Sequence, residues 1–406
     1  MTEIAHAEPA QAQPPSFPMT RGCPMHPPQA YAELRDKEPV SRITLPTGRT
    51  AWLVTRHDLA RKLLADPRVS VNRAHPGYPA LVAGAQGMGA AVKGFLTWMD
   101  PPEHTEHRKM LINEFTAARL AALRPQVQRI VEDCVAGLLA AGPPADLVAH
   151  LSLAVPSLVI CELLGVPYQD RELFHQRAAT LDARNSTPQE KMEAFKGLRG
   201  YIGALVTAKT EDPGDDLLSR LAARYRQADA YDHDLLVGEA TLLLTGGFET
   251  TANMISLGVL ALLQDDEQRA KVVAGAPGAA DELLRYFSIA EISTSRVLTE
   301  DVELGGVTMR AGEGVIVSNT AADWDPAVFS DPERLDVERP EAKHHLAFGF
   351  GVHQCLGQNL ARMELQVLYA TLFQQVPTLR LAVPMEELRF KKETNFYGVY
   401  EMPVAW

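Results

Sequence analysis

The segment Phe348-Gly349-Phe350-Gly351-Val352-His353-Gln354-Cys355-Leu356-Gly357 is the most informative part of this sequence. Its glycines permit positive φ angles and a close approach of the backbone to the cysteine. Apolar residues at helical spacing follow it, which predicts that a helix begins directly after the cysteine. The positive end of a helix lowers the pKa of a nearby thiol. The pattern therefore indicates a loop that holds a thiolate at Cys355.

A lone thiolate of this kind fits two chemical roles, and a buried structural cysteine is the third interpretation. The thiolate is either a nucleophile, with His353 as the nearest candidate base, or an axial ligand of haem iron. The remaining cysteines are too few and too scattered for a disulfide framework or a zinc site; they are Cys23, Cys134 and Cys161. The chain therefore reads as a cytoplasmic protein with reduced thiols.

Composition sets wider limits on the function. The chain has 406 residues, 46% of them hydrophobic, which excludes wholesale disorder. Its 39 basic and 51 acidic residues give a net charge of −12, which argues against nucleic acid as the main partner. We expect neither a signal peptide nor a membrane-spanning segment, because no basic start precedes an apolar run of sufficient length.

The pattern along the chain predicts one mainly helical domain with a minor β part over residues 31–406. A proline-rich, extended arm is expected over residues 1–30. A strand hairpin is predicted at 40–43 and 51–54, a glycine-rich lid at about 70–98, and mostly helices from 103 to 264. The longest helix is predicted over 234–263, with Asp234 as its N-cap. Later elements are a short helix at 280–287 and strands at 296–302 and 315–318.

The cysteine segment closely resembles the haem-binding loop of the cytochrome P-450 family. The resemblance implies a long central helix over the haem and Cys355 as the axial ligand of the iron. Thiolate ligation favours cleavage of the O–O bond. The implied cofactor is haem b, and its contacts in this loop include Phe348, Gly349, His353 and Gly357. The implied activity is a monooxygenase reaction with O2 as co-substrate.

A second motif, Gly246-Gly247-Phe248-Glu249-Thr250-Thr251, falls inside the long helix. The Thr250 hydroxyl can bond the Gly246 carbonyl four residues earlier and open the helix locally. The motif is similar to the family's oxygen-activation segment. The resemblance implies that Thr250 bonds the oxygen species, that Glu249 supplies protons and that Gly246 borders the haem.

Two further segments occur in the family's order. Glu282-Leu283-Leu284-Arg285 resembles the family's buried ion network, with Arg334 as the third member. Asp100-Pro101-Pro102-Glu103-His104 and the following Arg108 resemble the segment that binds a haem propionate. The resemblance adds Arg296 and His353 to that ligand set. His107, on the same helix, is expected on a solvated face, and His344 and His345 are unassigned.

The residues that line the substrate pocket can be proposed only from their positions relative to the motifs of the family. They suggest a bulky apolar ligand: a polyketide, macrolide, statin-type lactone, steroid-like molecule or xenobiotic. The candidate residues are Val82, Met88, Phe95, Leu96, Leu243, Leu244, Phe248, Ile289, Ile292, Thr294, Phe396 and Tyr397.

Electrons must come from another protein, because no flavin, nicotinamide or iron–sulfur motif is present and the segment after Cys355 is too short for a reductase. By resemblance, a ferredoxin and a ferredoxin reductase that uses NAD(P)H supply them, and the enzyme works as a monomer. Scattered basic residues are candidates for the docking face: Arg61, Lys62, Arg68, Arg108, Lys109, Arg119, Arg124 and Arg362.

Two rival interpretations share the fold. A peroxygenase uses hydrogen peroxide and tends to lack the acid–threonine pair, so Glu249-Thr250 argues against it. A haem-binding sensor or carrier needs only the thiolate, and turnover distinguishes it from an enzyme. A cysteine-nucleophile enzyme without haem is a more distant third.

Overall fold

The computed structural model of the protein describes residues 13–82, 93–170, 186–290, 294–392 and 394–406, together with residues 173, 176, 177, 180 and 181. Met88 and Ile292, two of the candidate wall residues, lie outside the described residues. The fold is mainly helical with small sheets, in one domain, as the sequence predicts.

The helices follow one another from residue 30 to residue 375. Apolar side chains from most of them meet in one large core, which surrounds the longest helix. Their bounds are Ala30–Lys37, His57–Leu64, Glu103–Ile112, Ala117–Ala141, Ala154–Leu164, Pro188–Glu211, Leu217–Gln227, His233–Gln264, Asp266–Val273, Ala279–Phe287, Asn319–Ala322 and Gln358–Gln375.

The longest helix, His233–Gln264, is called the central helix here. Its N-cap is Asp232, whose carboxylate accepts the Leu235 N–H, so the prediction of Asp234 is wrong. Asp234 lies in the first turn, where a negative charge is also favoured by the helix dipole. Among the described helices it alone is long and apolar enough to cross a membrane, but 78% of its most apolar window is buried inside the fold. It is therefore a core helix.

A five-stranded sheet carries the β part, in the order β1-β2-β8-β5-β3. The predicted hairpin is β1 (Val40–Thr44) and β2 (Thr50–Val54), which pair antiparallel. β3 is Val69–Ser70, β5 is Ser295–Leu298, and β8 is Gly314–Val317, which runs parallel to β2. A second sheet joins β4 (Ala145–Asp146), β10 (Pro403–Ala405) and β9 (Arg380–Leu381), and β6 (Val302–Leu304) pairs with β7 (Val307–Met309).

The described part of the N-terminal arm is packed against the domain. Phe17 is buried, and its N–H donates to the Thr44 carbonyl at the edge of β1. Farther along the arm, the Pro24 carbonyl accepts the Tyr397 hydroxyl at 2.9 Å. The arm therefore lies between the first sheet and the segment before the C-terminus.

Candidate active site

The cysteine loop has the backbone conformation that its glycines predict. Gly349 and Gly351 have φ angles of 70° and 76°, in the region that favours glycine. A Cβ on Gly351 would also lie 2.5 Å from the Leu64 carbonyl oxygen. The Cys355 N–H donates to the Phe348 carbonyl at 2.8 Å, which closes the loop. The following helix begins at Gln358, with Gly357 as its N-cap.

The thiol of Cys355 has opposing influences on its pKa. Burial raises the pKa, and the Gly357 N–H with the charges of Arg108 and Arg362 acts in the opposite direction. The net shift from the groups of the chain is upward, so the Gly357 N–H and the two arginines do not outweigh burial. The thiolate form requires a cation at the sulfur, and coordination by a metal ion deprotonates a thiol.

The four predicted propionate ligands occupy one region next to this loop. Arg108 Nη2 donates to the Gln354 carbonyl at 2.7 Å, and the rings of His104 and His353 lie 4.2 Å apart between centroids. The positive charge of Arg296 acts on His353 and contributes to its lowered pKa. Arg296 itself is buried in β5, and its Nη1 donates to the Ser295 carbonyl.

These residues fit a haem because they present buried polar atoms that lack partners among the described residues. Both ring nitrogens of His104 are buried and unpaired there. In the described part of the chain, neither Arg108 nor Arg296 forms an ion pair with a carboxylate. Burial lowers the pKa of both guanidinium groups. Buried cations and orphaned donors of this kind are what the two carboxylates of a haem satisfy.

Both histidines of this group are held neutral. Burial lowers the pKa of His104 to about 4, with a further contribution from Arg108. Burial also lowers the pKa of His353 to about 3, with Arg296 as the next cause. At neutral pH each ring therefore offers one N–H donor and no charge, and the two arginines supply the positive charge.

At the predicted motif the central helix is continuous, so the expected local opening of the helix is wrong, although the expected hydrogen bond is present. Thr250 Oγ1 donates to the Gly246 carbonyl at 2.8 Å. Gly246 is exposed in a helix that is otherwise mostly buried, and a Cβ placed on it would meet no atom within 4 Å. An open space therefore borders the helix at Gly246.

The buried ion network differs from the prediction in one member. Arg285 forms a bidentate pair with Glu282, with Nε–Oε2 and Nη2–Oε1 distances of 2.7 and 2.9 Å. The third cation is Arg339, whose Nε lies 3.1 Å from Glu282 Oε1, so the prediction of Arg334 is wrong. The Arg334 residue is exposed and contributes its backbone carbonyl, which accepts Arg339 Nη2 at 2.8 Å.

Other residues that support the cysteine loop have no sequence motif. The buried carboxylate of Asp323 accepts the Leu346 N–H at 2.6 Å, just before the loop. Asp281 binds Arg362 Nε at 2.6 Å and His345 Nε2 at 3.2 Å, and the Arg362 guanidinium lies 4.7 Å from the centre of the Phe348 ring. Arg362 is thus a partly buried support of the loop.

His107 is not on a solvated face as expected. Its Nδ1 lies 2.9 Å from the Tyr225 hydroxyl and 3.5 Å from the Glu239 carboxylate. The hydrogen bond with Glu239 raises the pKa of His107, although burial opposes it. This network joins the helices Glu103–Ile112 and Leu217–Gln227 to the central helix.

The described wall candidates are spread over several environments. Leu244, Phe248 and Ile289 are buried apolar residues, whereas Val82 is 57% exposed. Phe95 is buried and packs on Trp98, with ring centroids 4.5 Å apart. The others are buried Leu96 and Tyr397, partly buried Leu243 and Phe396, and Thr294, whose hydroxyl donates to the Val317 carbonyl.

Comparison with known proteins agrees with this geometry. The family model described as Cytochrome P450 matches residues 278–387, which include the ion network and the cysteine loop. The chain is 47% identical to vitamin D3 dihydroxylase from Streptomyces griseolus, and the alignment covers all of both chains.

Solved structures share the whole fold. The structure of cytochrome P450 MoxA from Nonomuraea recticatena is 52% identical with a TM-score of 0.90, covering 96% of this chain and 98% of that one. The structure of mycinamicin VIII C21 methyl hydroxylase MycCI from Micromonospora griseorubida, bound to mycinamicin VIII, is 39% identical with a TM-score of 0.91. It covers 97% of this chain and 100% of that one. On this similarity over the full length, and on the cysteine loop with the cations beside it, the chain belongs to the cytochrome P450 family and is a monooxygenase.

Proposed function

We propose that this monooxygenase hydroxylates a bulky, mainly apolar small molecule. The observation that carries the proposal is the open space beside Gly246 and Thr250, on a face of the central helix that also carries the apolar, partly buried Leu242 and Leu243. Vitamin D3 dihydroxylase and mycinamicin VIII C21 methyl hydroxylase act on molecules of this kind, to judge from their names. Polyketides, macrolides, statin-type lactones, steroid-like molecules and xenobiotics are the classes to test.

We propose that haem b binds with Cys355 as its iron ligand and with His104, Arg108, Arg296 and His353 around its propionates. When bound, a thiolate-ligated haem supplies the activation of O2. The residues of the chain bind and position the haem. The buried Arg296, the partly buried Arg108 and the two neutral histidines bind the carboxylates, and the glycines of the cysteine loop let its backbone approach the sulfur.

We propose that Thr250 and Glu249 supply protons at this site. The Thr250 hydroxyl donates to the Gly246 carbonyl, so its oxygen is held at the edge of the open space. From there it could accept one hydrogen bond, and on turning away from the Gly246 carbonyl it could donate its proton to a group bound in that space. Glu249, the preceding residue, has a carboxyl group that can replace the proton donated by the Thr250 hydroxyl, which is general acid catalysis.

Electrons are proposed to come from a ferredoxin, reduced by a reductase that uses NAD(P)H, and to enter beside the cysteine loop. Three basic side chains contact this loop: Arg61 lies 4.4 Å from the Phe350 ring centre, Arg108 binds Gln354, and Arg362 covers Phe348. Val352, at the loop's tip, is 54% exposed. A cationic rim around an exposed apolar residue suits an acidic protein partner. We also propose that the enzyme is monomeric and cytoplasmic.

The docking proposal is tested by the rate of reduction. K62E and K109E each reverse an exposed charge that follows Arg61 or Arg108 in the sequence, and both are expected to slow reduction by a ferredoxin several-fold. Raising the salt concentration should slow the wild type and reduce the difference. A rate that depends neither on salt nor on these charges would contradict the proposed docking face.

The proposed reaction is tested by turnover. Purified, haem-containing enzyme is supplied with a ferredoxin, its reductase and NADPH, and a panel of the five substrate classes is screened for products carrying one added oxygen atom from 18O2. Incorporation of 18O from O2 supports the proposal. Equal turnover with hydrogen peroxide alone would indicate a peroxygenase, and spectral binding without any product would indicate a carrier.

A further inference from the structure

The proposed proton donor Glu249 has a cationic partner from a distant part of the chain. Lys391 Nζ lies 3.2 Å from Glu249 Oε1, and the two side chains are only 10% and 8% exposed. Lys391 belongs to the segment just before the C-terminus, where its own N–H donates to the Gly398 carbonyl at 2.8 Å. Because a buried carboxylate is stabilised by a cation beside it, Lys391 contributes to holding this carboxyl group in place.

The side chains of Glu249 and Thr250 leave the central helix in different directions, one toward Lys391 and the other toward the Gly246 carbonyl. Successive residues of an α-helix are about 100° apart, so Glu249 and Thr250 cannot point the same way. Glu249 shares its face with Asn253, four residues later. The segment before the C-terminus packs tightly on that face, since a Cβ on Gly398 would lie 2.1 Å from Asn253 Oδ1. The carboxyl group therefore faces this segment, and Thr250 faces the space beside Gly246.

Lys391 also lines a cavity of about 250 Å³. The cavity lies between the N-terminal arm and the segment before the C-terminus, and most of its polar groups come from Thr20, Arg21, Lys391, Lys392, Thr394 and Asn395. A cavity of this size and polarity holds several water molecules, since one occupies about 30 Å³ in the liquid. Water in the cavity is thus one side chain away from the carboxyl group of Glu249.

We propose that this cavity is the inlet for the protons that Glu249 delivers, and that Lys391, which lines the cavity, is the positioning residue that holds Glu249 directly behind its wall. The inference rests on the role of Glu249 in the proposed function. A proton from the cavity reaches the Glu249 carboxylate past the Lys391 side chain and then passes to the Thr250 side of the helix, and bulk solvent returns a proton to the cavity water.

The central test compares K391M with K391R and with K392M. K391M removes the cation at Glu249, K391R keeps a cation there, and K392M removes a charge from the same cavity as a matched control. For each haem-containing variant, the share of NADPH electrons recovered in product and the solvent deuterium isotope effect on turnover are measured. We expect K391M to lower the recovered share at least about threefold and to raise the isotope effect, because proton transfer then limits the rate. K391R should restore most of both values, and K392M should match the wild type.

Stability measurements distinguish a purely structural effect of losing Lys391 from an effect on proton transfer. K391M, E249Q and the double variant are unfolded in urea, and coupling of the two sites is read from the midpoints. Direct contact predicts that the double variant loses less than the two single losses added together. E249Q also separates the two proposals. If E249Q leaves electron recovery unchanged, the role of Glu249 in the proposed function fails. If E249Q lowers it and K391M does not, only the inlet and Lys391 are refuted.

Discussion

Arg339→Met tests the correction of the buried ion network. Glu282 and Arg285 have fully buried side chains, and that of Arg339 is 5% exposed. Losing Arg339 removes its 3.1 Å contact with Glu282 and its hydrogen bonds to the carbonyl groups of Ser330, Asp331 and Arg334. Glu282 then keeps the bidentate Arg285 and the Asp336 N–H at 3.0 Å.

The magnitude follows from what remains at Glu282. Breaking a buried ion pair by removing one partner costs about 3–5 kcal/mol. Because a bidentate cation and one N–H remain, we expect Arg339→Met to cost about 3 kcal/mol of unfolding free energy. Arg285→Met removes the bidentate cation and should cost about 5 kcal/mol. Arg334→Met changes an exposed side chain and should stay within about 0.5 kcal/mol.

The assay is urea unfolding of haem-containing protein, followed by far-ultraviolet circular dichroism and by the loss of haem absorbance. The three variants share one type of substitution, so their ranking is the result that matters. Equal losses for Arg334→Met and Arg339→Met would refute the assignment of Arg339. A loss below about 0.5 kcal/mol for Arg339→Met would refute the energetic reasoning as well.

Three further predictions concern the site and its surroundings. Arg296→Met should speed the transfer of haem to apomyoglobin about 10- to 100-fold, as loss of a charge-assisted hydrogen bond implies; an unchanged rate would remove Arg296 from the propionate ligands. Thr250→Ala should lower product formation at least about tenfold while NADPH is still consumed, and Thr250→Ser should keep most of it; normal product formation by Thr250→Ala would refute its role. The raised pKa of His107 predicts stability that is complete below pH about 6.5 and is lost as the pH rises through the folded-state pKa. Unfolding free energies at pH 6, 7, 8 and 9 should therefore fall more steeply for the wild type than for His107→Gln, and parallel curves would contradict this.

Local patterns predicted much of the fold and the centre of the site. The hairpin, the short helices and the central helix follow from hydrophobic periodicity and turn residues, and the φ angles of Gly349 and Gly351 follow from their place in the loop. The Thr250–Gly246 hydrogen bond also follows from spacing alone. These features depend on residues that are close in sequence.

Contacts between distant segments could not be predicted in this way. Arg334 and Arg339 are both arginines in one irregular segment, and only the path of the backbone decides which of them reaches Glu282. The same is true of Lys391, which lies 142 positions from Glu249. His107 has the sequence context of a surface residue, and its burial depends on Tyr225 and Glu239 from two other helices. The N-cap error at Asp234 is smaller, because Asp232 and Asp234 offer the same carboxylate two residues apart.

The most direct test of the account is the visible spectrum of the protein after reduction with dithionite and exposure to carbon monoxide. It is recorded for the wild type, for Cys355→Ala and for the control Cys134→Ala, whose cysteine lies in the helix Ala117–Ala141 rather than in the cysteine loop. We expect a strongly red-shifted Soret band in the wild type and in Cys134→Ala, and its absence in Cys355→Ala. A colourless wild-type protein, or a red-shifted band that persists without Cys355, would contradict the assignment of Cys355 as the thiolate ligand.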